Sequence, residues 1–242
     1  MTVVEVRNLT FAYSGEKPLL HDISFSISDG EVFVIAGKSG SGKTTLCRIL
    51  SGIIPCAIKG SLSGEIMVAD ITPSQAGLPK TALRAGMVFQ DADDQIICST
   101  VEDELAFGLE NHCKPPKQIQ RRVDELLTEF RFRELRHENP ARLSDGQKKL
   151  LVVAAVLAPA PPILILDEPM NGLDNESRAL LHTAIEQQRR QGRTVIIVEH
   201  DLKTVTFADN WLLLRDGSIA AFGTPSSMRH DENMLIELGV WA

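Results

Sequence analysis

Residues Gly37 to Thr45 read GKSGSGKTT, between the apolar run Val32 to Ala36 and the helix-like segment Leu46-Cys47-Arg48-Ile49-Leu50. A strand, a glycine-rich turn and a helix in that order commit this part of the chain to an α/β core. The residue types explain the turn. Glycines let successive backbone N–H groups point inward around a β-phosphate, and a helix beginning near Gly42 aims its positive end at the same oxygens. Lys43 then spans the β- and γ-phosphates, and Thr44 offers a hydroxyl to Mg²⁺. The loop Gly37, Lys38, Ser39, Gly40, Ser41, Gly42, Lys43, Thr44 and Thr45 is therefore expected to hold a nucleoside triphosphate.

Bulk composition excludes other readings. With 242 residues, 43% apolar and 24% charged, the chain can build a sizeable core. A net charge of −7 argues against a dedicated nucleic-acid binder and against unaided docking on anionic lipid. Cys47, Cys56, Cys98 and Cys113 show no CxxC spacing and the histidines are scattered, so free thiols in a reducing cytosol are expected, without a metal site of that kind. The start MTVVEVRNLTFAYSGEKP carries Glu5 and Arg7 inside any apolar core, so no secretory signal is expected. Leu150 to Leu166 is wholly apolar, but Pro159, Pro161 and Pro162 split it into a helix ending near Ala158 and a strand too short to span a bilayer. The expectation is a soluble chain.

Along the chain, Val3 to Val6 and Ile23 to Ile27 alternate apolar and polar residues as half-buried antiparallel strands do. Gly64 to Val68 and Ala85 to Phe89 read as further strands. Between Val101 and Ala158 the period turns helical, over Val101 to Leu109, Ile119 to Phe130 and Ser144 to Leu157. A strand from Ile163 to Leu166, a helix from about Glu176 to Gln191 and a strand from Thr194 to Val198 restore an α/β rhythm. Arg215-Asp216-Gly217-Ser218 marks a hairpin between Trp211 to Leu214 and Ile219 to Phe222. A helical insert thus interrupts one α/β core, with no linker dividing the chain.

The run Ile163-Leu164-Ile165-Leu166-Asp167-Glu168-Pro169 brings a pair of carboxylates to the end of a buried strand. Beside a phosphate loop, Asp167 can hold Mg²⁺ through water, and Glu168 can polarise the water that attacks a γ-phosphate. Alone, two acids at a strand end are more often mere solvation. The phosphate loop in the same chain reverses that weighting.

With five further elements the chain resembles the ATPase subunit of an ABC transporter. Gln90 follows the strand Ala85 to Phe89, as the family's Q-loop glutamine does; the resemblance implies contact with Mg²⁺ and a link to the membrane partner. Leu143-Ser144-Asp145-Gly146-Gln147 resembles the signature LSGGQ, implying that Ser144, Gly146 and Gln147 face the γ-phosphate held by a second subunit. Asn171-Gly172-Leu173-Asp174 resembles the D-loop, His200 the switch histidine, and Tyr13 the aromatic residue that stacks on adenine. Asp145, Met170, Asn171 and Leu150 depart from the commoner residues of the pattern. The likeness covers essentially residues 1–242 and implies a phosphate-loop ABC ATPase fold, α/β in class, with an N-terminal antiparallel β subdomain and a helical signature subdomain at about 91–158. It implies ATP and Mg²⁺ as ligands, with Thr44, Gln90 and Asp167 at the metal and Glu168, His200 and Gln90 in catalysis.

A finer likeness lies in Val88 to Ile97 followed by Thr100 to Gly108, which is similar to the ATPases of energy-coupling factor importers of vitamins and metal ions. There an acidic groove receives arginine-bearing helices of the membrane subunit, and Asp93, Asp94, Glu102, Asp103 and Glu104 would supply the charge. The implied partners are a second ATPase subunit, identical or different, an integral membrane transport subunit and a substrate-binding membrane component, with the chain peripheral on the cytoplasmic face of the cell membrane. No nucleic-acid partner is expected. The competing classes are another ABC importer or exporter, a non-transport ABC ATPase, and a nucleotide-binding module without turnover; Glu168 and His200 argue against the last. Ile54 to Leu62 is a longer link than usual, with no role assigned.

Overall fold

The computed structural model describes residues 1–241. Its strands are β1 Thr2–Tyr13, β2 Leu20–Ser28, β3 Val32–Ala36, β4 Gly60–Val68, β5 Ala85–Val88, β6 Ile163–Asp167, β7 Thr194–Glu199, β8 Asn210–Arg215 and β9 Ser218–Gly223. Its helices are α1 Lys43–Leu50, α2 Ile53–Cys56, α3 Pro73–Ala76, α4 Leu78–Ala82, α5 Val101–Asn111, α6 Pro116–Glu129, α7 Asp145–Leu157, α8 Asn175–Arg190, α9 Pro225–Met228 and α10 Glu232–Glu237. One antiparallel sheet has the order β2-β1-β4; the other, β5-β6-β7-β3-β8-β9, is parallel except for β9.

β3, β5, β6 and β7 of the larger sheet are buried on both faces, which is why they read as apolar runs, whereas the antiparallel edge strand β9 is only partly buried. Alternate residues serve two cores. Phe33, Ile35, Ile165 and Ile196 pack with α1 and the antiparallel sheet. Val32, Val34, Leu164, Leu166 and Ile197 pack with α5 to α8 and the C-terminal turns. The β-branched strand residues and the helical stripe between Leu150 and Leu157 meet there, so the apolar stretch that follows Lys149 is core. Among the described residues no helix is long and apolar enough to cross a membrane.

β1, β2 and β4 run longer than the alternation suggests, β2 beginning already at Leu20. β1 continues to Tyr13 because a bulge after Val6, with Asn8 at a φ of 49°, resets its register against both neighbours and breaks the period-two pattern. β4 begins at Gly60, paired with Tyr13. A side chain at Gly60 would stand 2.5 Å from the Ala12 carbonyl and the Phe11 ring, so this position admits only glycine. The link Ile54 to Leu62 therefore consists of a short turn closed by Ala57 N–H on Ile53 O, in which Ile54 itself is extended, followed by the first residues of a strand.

Candidate active site

Strand register gathers the predicted residues. Ala36 of β3 is opposite Glu199 of β7, Asp167 of β6 is opposite Val198, and Val88 of β5 is opposite Leu166. In a parallel sheet, aligned carboxyl ends release their loops on one edge. The phosphate loop, Gln90, Asp167-Glu168 and Glu199-His200 all leave from that edge.

The loop ends at Gly42, whose φ of 100° makes it a left-handed cap for α1. Lys43 is buried, and its Nζ donates to the carbonyls of Gly37 at 2.8 Å and Lys38 at 3.1 Å. Burial lowers its pKa, opposed by the charges of Glu168 and Asp167. Ser41 Oγ is buried with no partner among the described residues. Tyr13 puts its hydroxyl 2.9 Å from Thr45 Oγ1, at the rim of the loop, with its ring edge-on to Phe11. A feature the sequence did not signal closes the other rim: the turn after α10 brings Gly239 against the Lys38 side chain, while Leu202 N–H donates to Val240 O at 3.0 Å.

Asp167 is 2% exposed, and its Oδ1 is a buried acceptor without a donor among the described residues. Burial raises its pKa, opposed first by a hydrogen bond from Thr44. Glu168 has a φ of 49°, a left-handed backbone that a side-chain-bearing residue holds only when its surroundings impose it. Its N–H donates to Val198 O at 3.0 Å, and its Oε2 accepts Gln90 Nε2 at 3.0 Å. The structure thus brings Gln90 and Glu168, 78 positions apart, into direct contact. Glu199 is buried, accepts the Met170 N–H at 3.0 Å and has its pKa raised by burial. His200 is half-exposed, with Nδ1 3.8 Å from Glu199.

Two side chains that carried no signal in isolation support this arrangement. Gln95 accepts the Phe89 N–H at 2.6 Å and donates to Met87 O at 3.0 Å, closing the end of β5. Lys149 Nζ donates to the carbonyls of Glu168 and Asn171, each at 3.0 Å. Its clue was a lysine standing next to the wholly apolar face of a helix.

The signature residues lie elsewhere. Ser144 caps α7, accepting the Gln147 N–H at 3.3 Å, while the Gln147 side chain accepts the Ser144 N–H at 2.9 Å. That reciprocal cap leaves the N–H groups of Asp145 and Gly146 without a hydrogen-bond acceptor among the described residues, at the helix's positive end. α7 packs on β5, and β5 is separated from β3 by three strand spacings of about 4.8 Å, or roughly 14 Å. Ser144, Gly146 and Gln147 share no hydrogen bond with their own phosphate loop among the described residues. Asp174 caps α8 by accepting the Ser177 N–H at 2.7 Å, and this bond holds its carboxyl below the usual range.

The acidic patch is smaller than its sequence. Glu104 is 5% exposed and turned inward, accepting the N–H groups of Ile97 at 3.0 Å and Cys98 at 2.8 Å. Glu102 is paired with Arg136, and Asp93 with Lys148 at 2.8 Å. Asp103 accepts a hydrogen bond from Thr100, the cap of α5. Asp94 is exposed and unpaired among the described residues. Glu102, Asp103 and Glu104 diverge because α5 turns each about 100° from the last, while Asp93 and Asp94 sit in the loop before it.

Fold and site together define a phosphate-loop nucleotide hydrolase with a separate signature helix. A family model described as ABC transporter matches residues 20–171. The energy-coupling factor transporter ATP-binding protein EcfA1 of Streptococcus mutans is 37% identical over 241 residues, covering 98% of this chain and 84% of that protein. The EcfA1 of Oceanobacillus iheyensis is 37% identical over 240 residues, with the same shares. The solved structure of CbiO1 from Clostridium perfringens, part of the ABC transporter complex CbiONQ, superposes with a TM-score of 0.83 at 33% identity, over 98% of this chain and 94% of that one. The chain belongs to the ABC transporter family. It is an ATP-hydrolysing subunit of that family.

Proposed function

We propose that this chain energises the import of a small molecule, a vitamin or metal ion, by the energy-coupling factor mode, peripheral to the cytoplasmic face of the membrane and docked on an integral membrane subunit. The reading draws on the EcfA1 and CbiO1 likenesses. ATP binds between two such subunits: the phosphate loop and Lys43 of one hold the phosphates, and the N–H groups at the α7 start of the other complete the site. Tyr13 stacks on the base, and Asp174 borders the neighbouring subunit. Two-subunit closure is what the separation of α7 from its own loop calls for.

The observation that carries the catalytic reading is the contact of Gln90 with Glu168 beside an unpartnered, buried Asp167 oxygen. Glu168 takes the proton of the attacking water, Gln90 orients both, and His200 lies beside them on the neighbouring loop. A hard divalent cation fits the orphaned Asp167 Oδ1 and the nearby Thr44 hydroxyl. Thr44, Asp167 and Gln90 would hold Mg²⁺, whose charge offsets that of the phosphates.

An apolar groove of about 370 Å³ between β5, α5 and α7 suits a helix of the membrane subunit. Phe89, Ile97, Phe107 and Pro159 line it, with Ile97 63% and Phe107 41% exposed. Glu168→Gln tests the core of the proposal. ATP binding should persist, turnover should fall by about a hundredfold or more, and an ATP-bound dimer should accumulate in size-exclusion chromatography. Wild-type turnover would remove Glu168 from the chemistry.

A further inference from the structure

Lys149 stands one turn into the signature helix and is 8% exposed. Burying an ammonium is unfavourable, and an apolar residue of similar size would fill the space with less desolvation. Two of its three donors are spent on the carbonyls of Glu168 and Asn171, at 3.0 Å each. Among the described residues it makes the only hydrogen bonds from α7 to the Glu168–Asn171 turn.

That turn is fixed from its other side by β7. Glu168 N–H donates to Val198 O, and Met170 N–H donates to Glu199. Glu168 therefore keeps its left-handed backbone between a strand on one flank and a single ammonium on the other. Without the ammonium, the Glu168 carbonyl keeps only the longer 3.4 Å bond from Asn171 N–H within its own turn, so the peptide is less firmly held, and with it the carboxylate that meets Gln90.

We infer that Lys149 is a positioning residue that ties the signature helix to the catalytic carboxylate and D-loop of its own subunit, so that engagement of α7 with the ATP held by a second subunit sets Glu168 at the first subunit's site. The inference rests on the two-subunit reading above. It gives the pair of sites a physical link: α7 serves one nucleotide, Glu168 the other, and one ammonium joins them.

The test uses the full chain with Lys149→Met, which keeps volume and removes the donors, and Lys149→Gln, which keeps an uncharged donor on a shorter stem. Lys149→Met should lower kcat by on the order of ten- to a hundredfold, the loss expected of a catalytic group misplaced by about 1 Å. KM for ATP should stay within about threefold, because no phosphate contact is touched. The Hill coefficient for ATP should fall toward one, and Lys149→Gln should give an intermediate kcat. Where the methionine variant fails to fold, the glutamine variant carries the same reading. Wild-type kcat per folded chain with an unchanged Hill coefficient, alongside a lowered melting temperature, would overturn the inference and leave Lys149 structural. Failure of the two-subunit reading shows separately, as a Glu168→Gln chain that stays monomeric with ATP.

Discussion

Glu104 offers a sharp test of how the docking face is built. From the sequence it belongs to a run of acids presented to a partner; in the structure its carboxylate holds the loop that carries Ile97. Each of its two bonds is a charge-assisted contact to a backbone N–H, worth about 1.5 to 3 kcal/mol when donor and acceptor are buried. Ile97 is exposed, so water takes over part of that loss, and Glu104→Ala should cost about 2 to 4 kcal/mol in total. For a chain of this size that corresponds to a fall in melting temperature of about 5 to 15 °C. Glu104→Gln keeps an acceptor oxygen of the same shape and should cost about 1 kcal/mol. Cys98, whose thiol is pushed up to about 11 by burial and then by the nearby Glu104 charge, stays neutral in either case at neutral pH. Calorimetry paired with co-purification of the membrane subunit separates the roles. The alanine variant should lose both stability and partner, because Ile97 is no longer held at the groove; the glutamine variant should keep its partner. A glutamine variant that melts like wild type yet loses its partner would show that the charge itself docks, and would refute this reasoning.

Two further outcomes follow from the same face of the molecule. Asp94→Lys should weaken co-purification with the membrane subunit while leaving ATP affinity and melting temperature unchanged, whereas Asp93→Lys should also break the bond to Lys148 that links the Q-loop segment to α7; yields equal to wild type in both would remove this patch from the interface. Asp145 is exposed at the first position of α7, where a negative side chain is favoured by about 0.3 to 1 kcal/mol, so Asp145→Gly should change ATPase activity of the assembled complex by less than about tenfold. A hundredfold rise would mark the signature of this chain as a degenerate half-site.

What the sequence determined by itself was local. Val32 to Thr45 and Ile163 to Glu168 could be read because a buried parallel strand has one composition, a phosphate turn has one glycine spacing, and neither depends on distant residues. The Ser144 cap was legible for the same reason, since its partner is three residues away. The alternation alone shortens β1 and β4, because the bulge at Asn8 interrupts it and only pairing across strands carries them on.

The tertiary structure decided which way side chains face and what they meet. Gln90 reaches Glu168 because Val88 is in register with Leu166, a fact of strand pairing that no local pattern contains. Five acids between Asp93 and Glu104 look equivalent along the chain, yet α5 buries Glu104 and turns Glu102 to Arg136, while the loop before it sets Asp93 against Lys148 and leaves Asp94 toward solvent. Lys148 and Lys149 were one basic pair in sequence. A rotation of about 100° per residue sends the first to Asp93 and the second to the Glu168 carbonyl, and only the packing of α7 against the larger sheet fixes which is which.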